Sequence, residues 1–128
     1  MIKASTLALV VSSVMLSSTA QLLLKAGATR LAAGVHESSS SFIENMTRIA
    51  SSLNLFLFAG LASFTISLLL WLVVLSRLAI STAYPFVAGG IAITTIGGSL
   101  LFGEIISPVK WVVLMVIIVA VATLSIVD

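Results

Sequence analysis

The sequence predicts an all-α integral membrane protein with four transmembrane helices, and two observations support this fold class. The first is composition: of 128 residues, 60% are hydrophobic and only 8% are charged. A soluble domain is about a quarter charged, because charged side chains must cover its surface. The second is that four stretches reach the roughly 20 mostly apolar residues that a spanning helix needs. We therefore expect a single four-helix transmembrane domain over residues 1–128.

No charged residue interrupts the interior of any predicted span. The spans cover about residues 4–24, 55–75, 81–102 and 109–127. The links after the second and third spans are short, so successive helices are expected to pack as antiparallel neighbours. The start of the chain, with Lys3 before an apolar run and small residues up to Ala20, is also compatible with a cleavable signal peptide. The apolar run continues to Leu24, which favours an uncleaved span.

The first loop contains a polar segment with its own helical signals. Ser41 and Glu44 fit a capping box, in which the serine caps the helix and the glutamate reaches back to it. Phe42, Met46, Ile49 and Leu53 then recur at intervals of four, three and four residues. This pattern predicts a short amphipathic helix over about residues 41–53 in the membrane interface. The alternative is that the segment extends the second span into water.

The loop charges bear on orientation. The first and third loops lie on one side of the membrane and carry four basic residues, Lys25, Arg30, Arg48 and Lys110. The other side carries two, Lys3 and Arg77. The excess favours a cytoplasmic position for the first and third loops. The difference is small, so insertion in both orientations and dependence on a partner also remain open.

The first span carries a stripe of polar side chains. Ser13, Ser17 and Gln21 are four residues apart and therefore share one helix face, and Lys25 follows at the same interval. The amide of Gln21 has four hydrogen-bonding positions, so we expect it to face other helices or a wet cavity rather than lipid. Serines in a membrane helix are also explained by close helix packing.

The third span combines a proline with small residues. Pro85, directly after Tyr84, has no backbone N–H and is expected to loosen the first turns of the helix. Gly90, Thr94 and Gly98 recur every four residues and predict a face for close packing.

Charged and capping residues meet between the third and fourth spans. Ser107 is a favourable N-cap and Pro108 suits the first helical position. The resulting helix N-terminus, together with Lys25 and Lys110 on the same side of the membrane, could receive a phosphate. The alternative is that Glu104 pairs with one of these lysines at the interface.

Several function classes lack the residues that they need. The sequence has no cysteine and one histidine, His36, which argues against a metal site. No nucleophile–base pair, no glycine loop for phosphate and no clustered basic patch for nucleic acid is present. We expect a protein that is not an enzyme, has no cofactor and does not bind nucleic acid. No acidic residue lies inside a span, which argues against proton coupling through a buried carboxylate.

The four-helix plan and several short motifs resemble the small multidrug resistance family within the drug/metabolite transporter superfamily. The likeness is greatest to the subunits of the aminoarabinose–phosphoundecaprenol flippase. The matching stretches are Ala20-Gln21 with Lys25, Trp71-Leu72-Val73-Val74-Leu75, Ala83-Tyr84-Pro85, and Glu104 followed by Ser107-Pro108 and Trp111.

The resemblance implies a multi-pass protein of the bacterial inner membrane that works as a homodimer, or as a heterodimer with a related small subunit. Such a dimer would move a polyprenyl-phosphate-linked sugar among membrane lipids by alternating access. Ser13, Ser17, Gln21 and Tyr84 would line the groove, with Lys25 holding the phosphate. Lys110 would assist Lys25, and Glu104 would balance the lysines or meet an amino group.

Two departures separate this chain from the drug exporters of the family. Their proton-carrying glutamate in the first helix corresponds to Ser17, and a tryptophan after the third-helix tyrosine corresponds to Val87. The fourth span also has only Ala120 and Ala122 where many relatives have glycines. A small exporter of cationic or amphipathic compounds and an accessory subunit without transport activity remain the alternatives.

Overall fold

The computed structural model describes residues 3–35, 41–51 and 54–127, and every regular element in these ranges is an α-helix. The five helices are α1 (Ala4–Val35), α2 (Phe42–Ser51), α3 (Leu55–Leu75), α4 (Ile80–Phe102) and α5 (Pro108–Val127). Helices α1, α3 and α4 are long and apolar enough to cross a membrane, and α5 contributes a shorter apolar stretch. The all-α prediction is confirmed, and the architecture is that of a multi-pass membrane protein. A count of four spans stays a prediction.

Helix α1 is longer than predicted. The expected end near residue 24 is wrong, since the helix continues to Val35 and has 32 residues. The added segment is rich in alanine, the strongest helix former, and contains no proline to end it. At 1.5 Å per residue α1 is about 48 Å long, whereas the hydrocarbon core is about 30 Å thick. Because they are charged, we expect Lys25 and Arg30 to lie in the part of α1 that extends beyond the hydrocarbon.

Helices α3, α4 and α5 begin and end within one residue of the predicted spans, and local caps explain their ends. The side chain of Asn54 accepts a hydrogen bond from a backbone N–H in the first turn of α3 at 3.2 Å. Gly103 ends α4 with a φ of 66°, a left-handed conformation that favours glycine. The Ser107 hydroxyl accepts from the Lys110 backbone N–H at 3.4 Å, and Pro108 is the first residue of α5. The predicted N-cap of the last helix is confirmed.

Helix α1 lies between α3 and α4, antiparallel to the first and parallel to the second. Helices α4 and α5 pack against one another as expected, but α3 and α4 meet only near their connecting turn because α1 separates them. Buried residues hold this end together: Val10 on α1, Val74 on α3, and Ala83 and Phe86 on α4. Away from the turn α3 and α4 diverge, and a gap opens over α1.

Two glycines allow α1 and α3 to approach closely. A Cβ atom added at Gly60 would lie 2.8 Å from Leu24 Cγ and 3.0 Å from the Leu24 backbone nitrogen. A Cβ atom added at Gly27 would lie 2.6 Å from Leu57 Cγ and 2.9 Å from the Leu57 backbone nitrogen. Each helix thus places a leucine over a glycine of the other, a small-residue contact that is typical of membrane helices.

Helix α2 begins directly after Ser41, where the capping box predicts a helix start. Its Phe42 and Met46 side chains are exposed. These apolar groups are available to lipid, and the interfacial position of α2 stays a prediction. Residues 52 and 53 of the predicted amphipathic helix, and His36, lie outside the described residues.

Asn54 links α1 to α3, because its side chain caps α3 and its amide nitrogen donates to the Gly27 carbonyl at 3.1 Å. We expect Asn54→Ala to lower the free energy of unfolding by about 1–2 kcal/mol through loss of the cap and of this hydrogen bond. Asn54→Asp keeps the capping oxygen and should lose less. Thermal unfolding in detergent, followed by circular dichroism, measures both variants. Unchanged stability of Asn54→Ala would contradict this role.

Candidate functional site

The gap between α3 and α4 forms a cavity whose floor is α1. Its volume is about 200 Å³. Three of the seven predicted site residues, Ser13, Ser17 and Gln21, line it. The four-residue spacing brings them to one face of α1, and the divergence of α3 from α4 leaves that face uncovered. Gln21 is exposed, so the cavity opens to the surface of the helix bundle beside it.

Buried serines join the cavity walls. The Ser67 hydroxyl on α3 donates to the Ser13 carbonyl at 2.8 Å, and the Ser18 hydroxyl donates to the Gly90 carbonyl on α4 at 3.2 Å. The Ser13 hydroxyl donates to the Val10 carbonyl within α1 at 2.9 Å. A hydroxyl has one proton and two lone pairs. These three serines have therefore used their donors, and each oxygen keeps its lone pairs as acceptors.

Ser17 and Gln21 keep free donors. Ser17 is half-buried and makes no hydrogen bond to the other described residues. The Thr94 hydroxyl lies 3.4 Å from Gln21 Oε1 and 2.8 Å from the Gly90 carbonyl. The single hydroxyl proton favours the shorter contact, so the contact with Gln21 is weak. The Gln21 amide therefore retains hydrogen-bonding capacity for a ligand.

The α3 side of the cavity is aromatic. Phe64 and Trp71 line it, and the Trp71 ring packs edge-on against Tyr84, with centroids 6.1 Å apart and ring planes at 72°. This geometry is one that aromatic pairs prefer. Tyr84 itself is exposed and lies beside the cavity, behind Trp71, instead of in its wall.

Lys25 lies one helical turn beyond Gln21 and forms an ion pair with Glu104. Its ammonium is also 5.0 Å from the centroid of the Phe102 ring, within the range of a cation–π contact. The two charged side chains are 42% and 47% exposed. An ion pair with this exposure contributes about 0–1 kcal/mol to stability, so an external anion can replace the carboxylate at little cost.

Lys110 lies in the first turn of α5 and is exposed. It forms no ion pair with any residue in the described ranges. Of the two alternatives for this end of the bundle, the ion pair between Glu104 and Lys25 is present. An anion site that combines Lys25, Lys110 and the α5 N-terminus stays a prediction. Within the described part of the chain, no three His, Cys, Asp or Glu side chains are grouped to hold a metal ion.

No model of a protein family, no curated protein and no solved structure matches the chain. The resemblance to the small multidrug resistance family therefore stays a prediction, and the functional argument rests on the site itself.

Four polar or aromatic residues of the cavity lining were not among the predicted site residues. Ser18 lies beside the predicted stripe, and its contact with α4 depends on how α1 and α4 pack. Ser67, Phe64 and Trp71 are on α3, whose even distribution of apolar residues gives no sign of which face meets α1. The sequence offers one indication that Trp71 faces other helices, because the N–H donor of a tryptophan within an apolar span needs a partner.

Proposed function

We propose that this chain is a subunit of a bacterial inner-membrane transporter that moves a polyprenyl-phosphate-linked sugar between the leaflets by alternating access. The observation that supports this most is the line of polar residues on α1. Lys25 lies at one end, and Gln21, Ser17 and Ser13 follow at four-residue intervals into the cavity. A cation beside an uncharged cavity that contains several polar side chains is complementary to a phosphate that is joined to a sugar.

The phosphate would bind the Lys25 ammonium in place of Glu104. A hydrogen bond between an ammonium and a phosphate is charge-assisted and about twice as strong as one between neutral groups. When no ligand is bound, the negative charge of Glu104 neutralises the positive charge of Lys25. Its exposure to solvent makes the exchange reversible, as transport requires.

The polyprenyl tail would remain in the bilayer while the sugar crosses through the polar groove. A sugar in hydrocarbon would lose its hydrogen bonds to water, and each lost bond is costly. The cavity side chains supply replacements. One chain surrounds the cavity only with α1, α3 and α4, so we propose that a second copy or a related small subunit closes the open side.

Native mass spectrometry of the purified protein with undecaprenyl phosphate and its glycosylated forms tests this function. Retention of these lipids would support a flippase subunit. A correctly folded preparation that retains none of them would contradict it. That result would favour an accessory subunit, and activity of the complete transporter without this chain would then establish that alternative.

Glu104 competes with the phosphate for Lys25 in this proposal. Glu104→Gln removes the competing charge at nearly constant size, and we expect the affinity for undecaprenyl phosphate to rise roughly 1.5- to 5-fold, the equivalent of about 0.2–1 kcal/mol for an exposed ion pair. Glu44→Gln removes the same charge from α2 and serves as the matched control, with no change expected.

The same variant separates the proposal from its main alternative. In an exporter of cationic compounds, Glu104 would bind the cargo directly. A weaker affinity for undecaprenyl phosphate in Glu104→Gln, or loss of a drug-resistance phenotype in cells that carry it, would contradict the competition and favour the exporter.

A further inference from the structure

We propose that the cavity accepts one neutral monosaccharide ring, and that this chain therefore selects polyprenyl phosphates that carry a single uncharged sugar. This inference rests on the proposed function and specifies its substrate class. Three properties of the cavity support it: the absence of charge in its lining, the mixture of donors and acceptors, and its small, partly aromatic volume.

The first property concerns charge. Among the residues that the structure describes, none of those lining the cavity is charged. A charged group at membrane depth needs a partner of opposite charge, because the surroundings have a low dielectric constant. An ammonium group on the sugar would find no carboxylate in the cavity. The acidic side chain that contacts the α1 stripe is Glu104, which follows α4 and is already paired with Lys25.

The second property is the balance of hydrogen-bonding groups. Ser13, Ser18 and Ser67 offer lone pairs, since their protons are used by carbonyl oxygens. Ser17 and Gln21 offer donors. A ligand that has only hydrogen-bond donors would pair with the serine lone pairs alone, and one that has only acceptors would pair with Ser17 and Gln21 alone. A sugar hydroxyl is both donor and acceptor, so a polyol ring matches the complete set.

The third property is size. The volume of about 200 Å³ is below the roughly 300–1,000 Å³ of pockets that hold drug-sized ligands. This volume suits one sugar ring, and a second ring would extend through the open side of the cavity. Gln21 is about 6 Å along the helix from Lys25 and Ser17 is about 12 Å from it, by the rise of an α-helix. A ring attached to a phosphate on Lys25 would therefore enter the cavity at its Gln21 end, with its apolar face toward Phe64.

A competition experiment by native mass spectrometry tests the selectivity. The competing ligands are undecaprenyl phosphate alone, the same lipid with one neutral hexose, with one amino sugar and with a disaccharide, and the free hexose phosphate. We expect the neutral monoglycosyl lipid to bind roughly tenfold more tightly than the bare lipid, from a few added hydrogen bonds. The amino sugar and disaccharide forms should show no such gain, and the hexose phosphate without a tail should bind weakly.

The outcomes separate the two proposals. Binding of all the lipid forms with equal affinity, or preference for the amino sugar or the disaccharide, would overturn the neutral-monosaccharide inference and leave the flippase proposal intact. Binding of none of the lipids would overturn both. Tight binding of the hexose phosphate without a tail would show that the ligand is a soluble sugar phosphate. It would overturn the proposal that the substrate is a lipid.

A variant locates the selectivity in the cavity. Gln21→Leu removes the amide donors at similar size, and the fold should persist because Gln21 is exposed. The ratio of affinities for the monoglycosyl and bare lipids is expected to fall toward one. Thr19→Val is the matched control, since Thr19 is a polar residue on the exposed face of α1 and bonds only within that helix. A preserved ratio in Gln21→Leu would overturn the assignment of the sugar to this cavity.

Discussion

Replacing Lys25 with alanine is expected to abolish transport of the lipid-linked sugar while the protein remains folded in the membrane. The lysine supplies the charged hydrogen bond to the phosphate, and such a bond is worth about 1.5–3 kcal/mol, or roughly 10- to 100-fold in affinity. The fold should survive, because Lys25 is half exposed and its ion pair with Glu104 stabilises the protein only slightly. Flipping in proteoliposomes and lipid retention in native mass spectrometry measure the two effects.

Arg30→Ala provides the matched control for Lys25→Ala. Arg30 is also a cation on the extended part of α1, but its guanidinium packs over the Phe56 ring, 4.0 Å from the centroid, and it lies outside the polar stripe. Transport should persist in this variant. Lys25→Arg keeps the charge and is expected to retain part of the activity. Full activity of Lys25→Ala would show that the phosphate does not bind at this residue.

Adding a single methyl group at Gly60 is expected to destabilise the protein by about 1–3 kcal/mol, the usual cost of overpacking a tight interface. The new Cβ atom would lie 2.8 Å from Leu24 Cγ and 3.0 Å from the Leu24 backbone nitrogen. A side chain can rotate away from such a contact, but a backbone nitrogen can move only if α1 moves. Since α1 forms the cavity floor, Gly60→Ala should also weaken ligand binding.

Gly89→Ala makes the same chemical change on α4 without the close contact. The nearest atom to an added Cβ there is Val121 Cγ1 at 3.8 Å, an ordinary van der Waals distance. Alanine is the better helix former by about 1 kcal/mol, so this variant should be as stable as the original or slightly more so. Unfolding in mixed micelles compares the two. Equal stability of Gly60→Ala and Gly89→Ala would contradict the tight α1–α3 interface.

Local sequence signals predicted the helices well where a cap or a breaker was present. Ser107 was predicted as a cap, and the structure adds Asn54 and Gly103; the predicted spans beside all three agree with the structure within one residue. The predicted end of α1 near residue 24 is wrong, because the change from apolar to polar residues at Lys25 ends the apolar run but not the helix. An alanine-rich segment continues a helix into water, so a membrane boundary and a helix end are different events.

Part of the candidate site was also predictable, from the periodicity of an α-helix. Ser13, Ser17, Gln21 and Lys25 share a face of α1 by helical periodicity alone, and the structure adds which elements oppose that face. The positions of Ser67 and Trp71 opposite them depend on the register between α1 and α3, which Gly27 and Gly60 set by steric fit. The exposed place of Tyr84 likewise depends on its packing against Trp71.

The sequence by itself determined that this protein is helical and suited to a membrane. The length of the apolar runs and the scarcity of charged residues do not depend on tertiary contacts. It also determined one polar face on α1. Only the tertiary structure decided that α1 separates α3 from α4, that the resulting gap is a cavity, and that Glu104 pairs with Lys25. These features depend on contacts between residues far apart in the chain, where the fit of a glycine against a leucine selects one packing among several that are equally apolar.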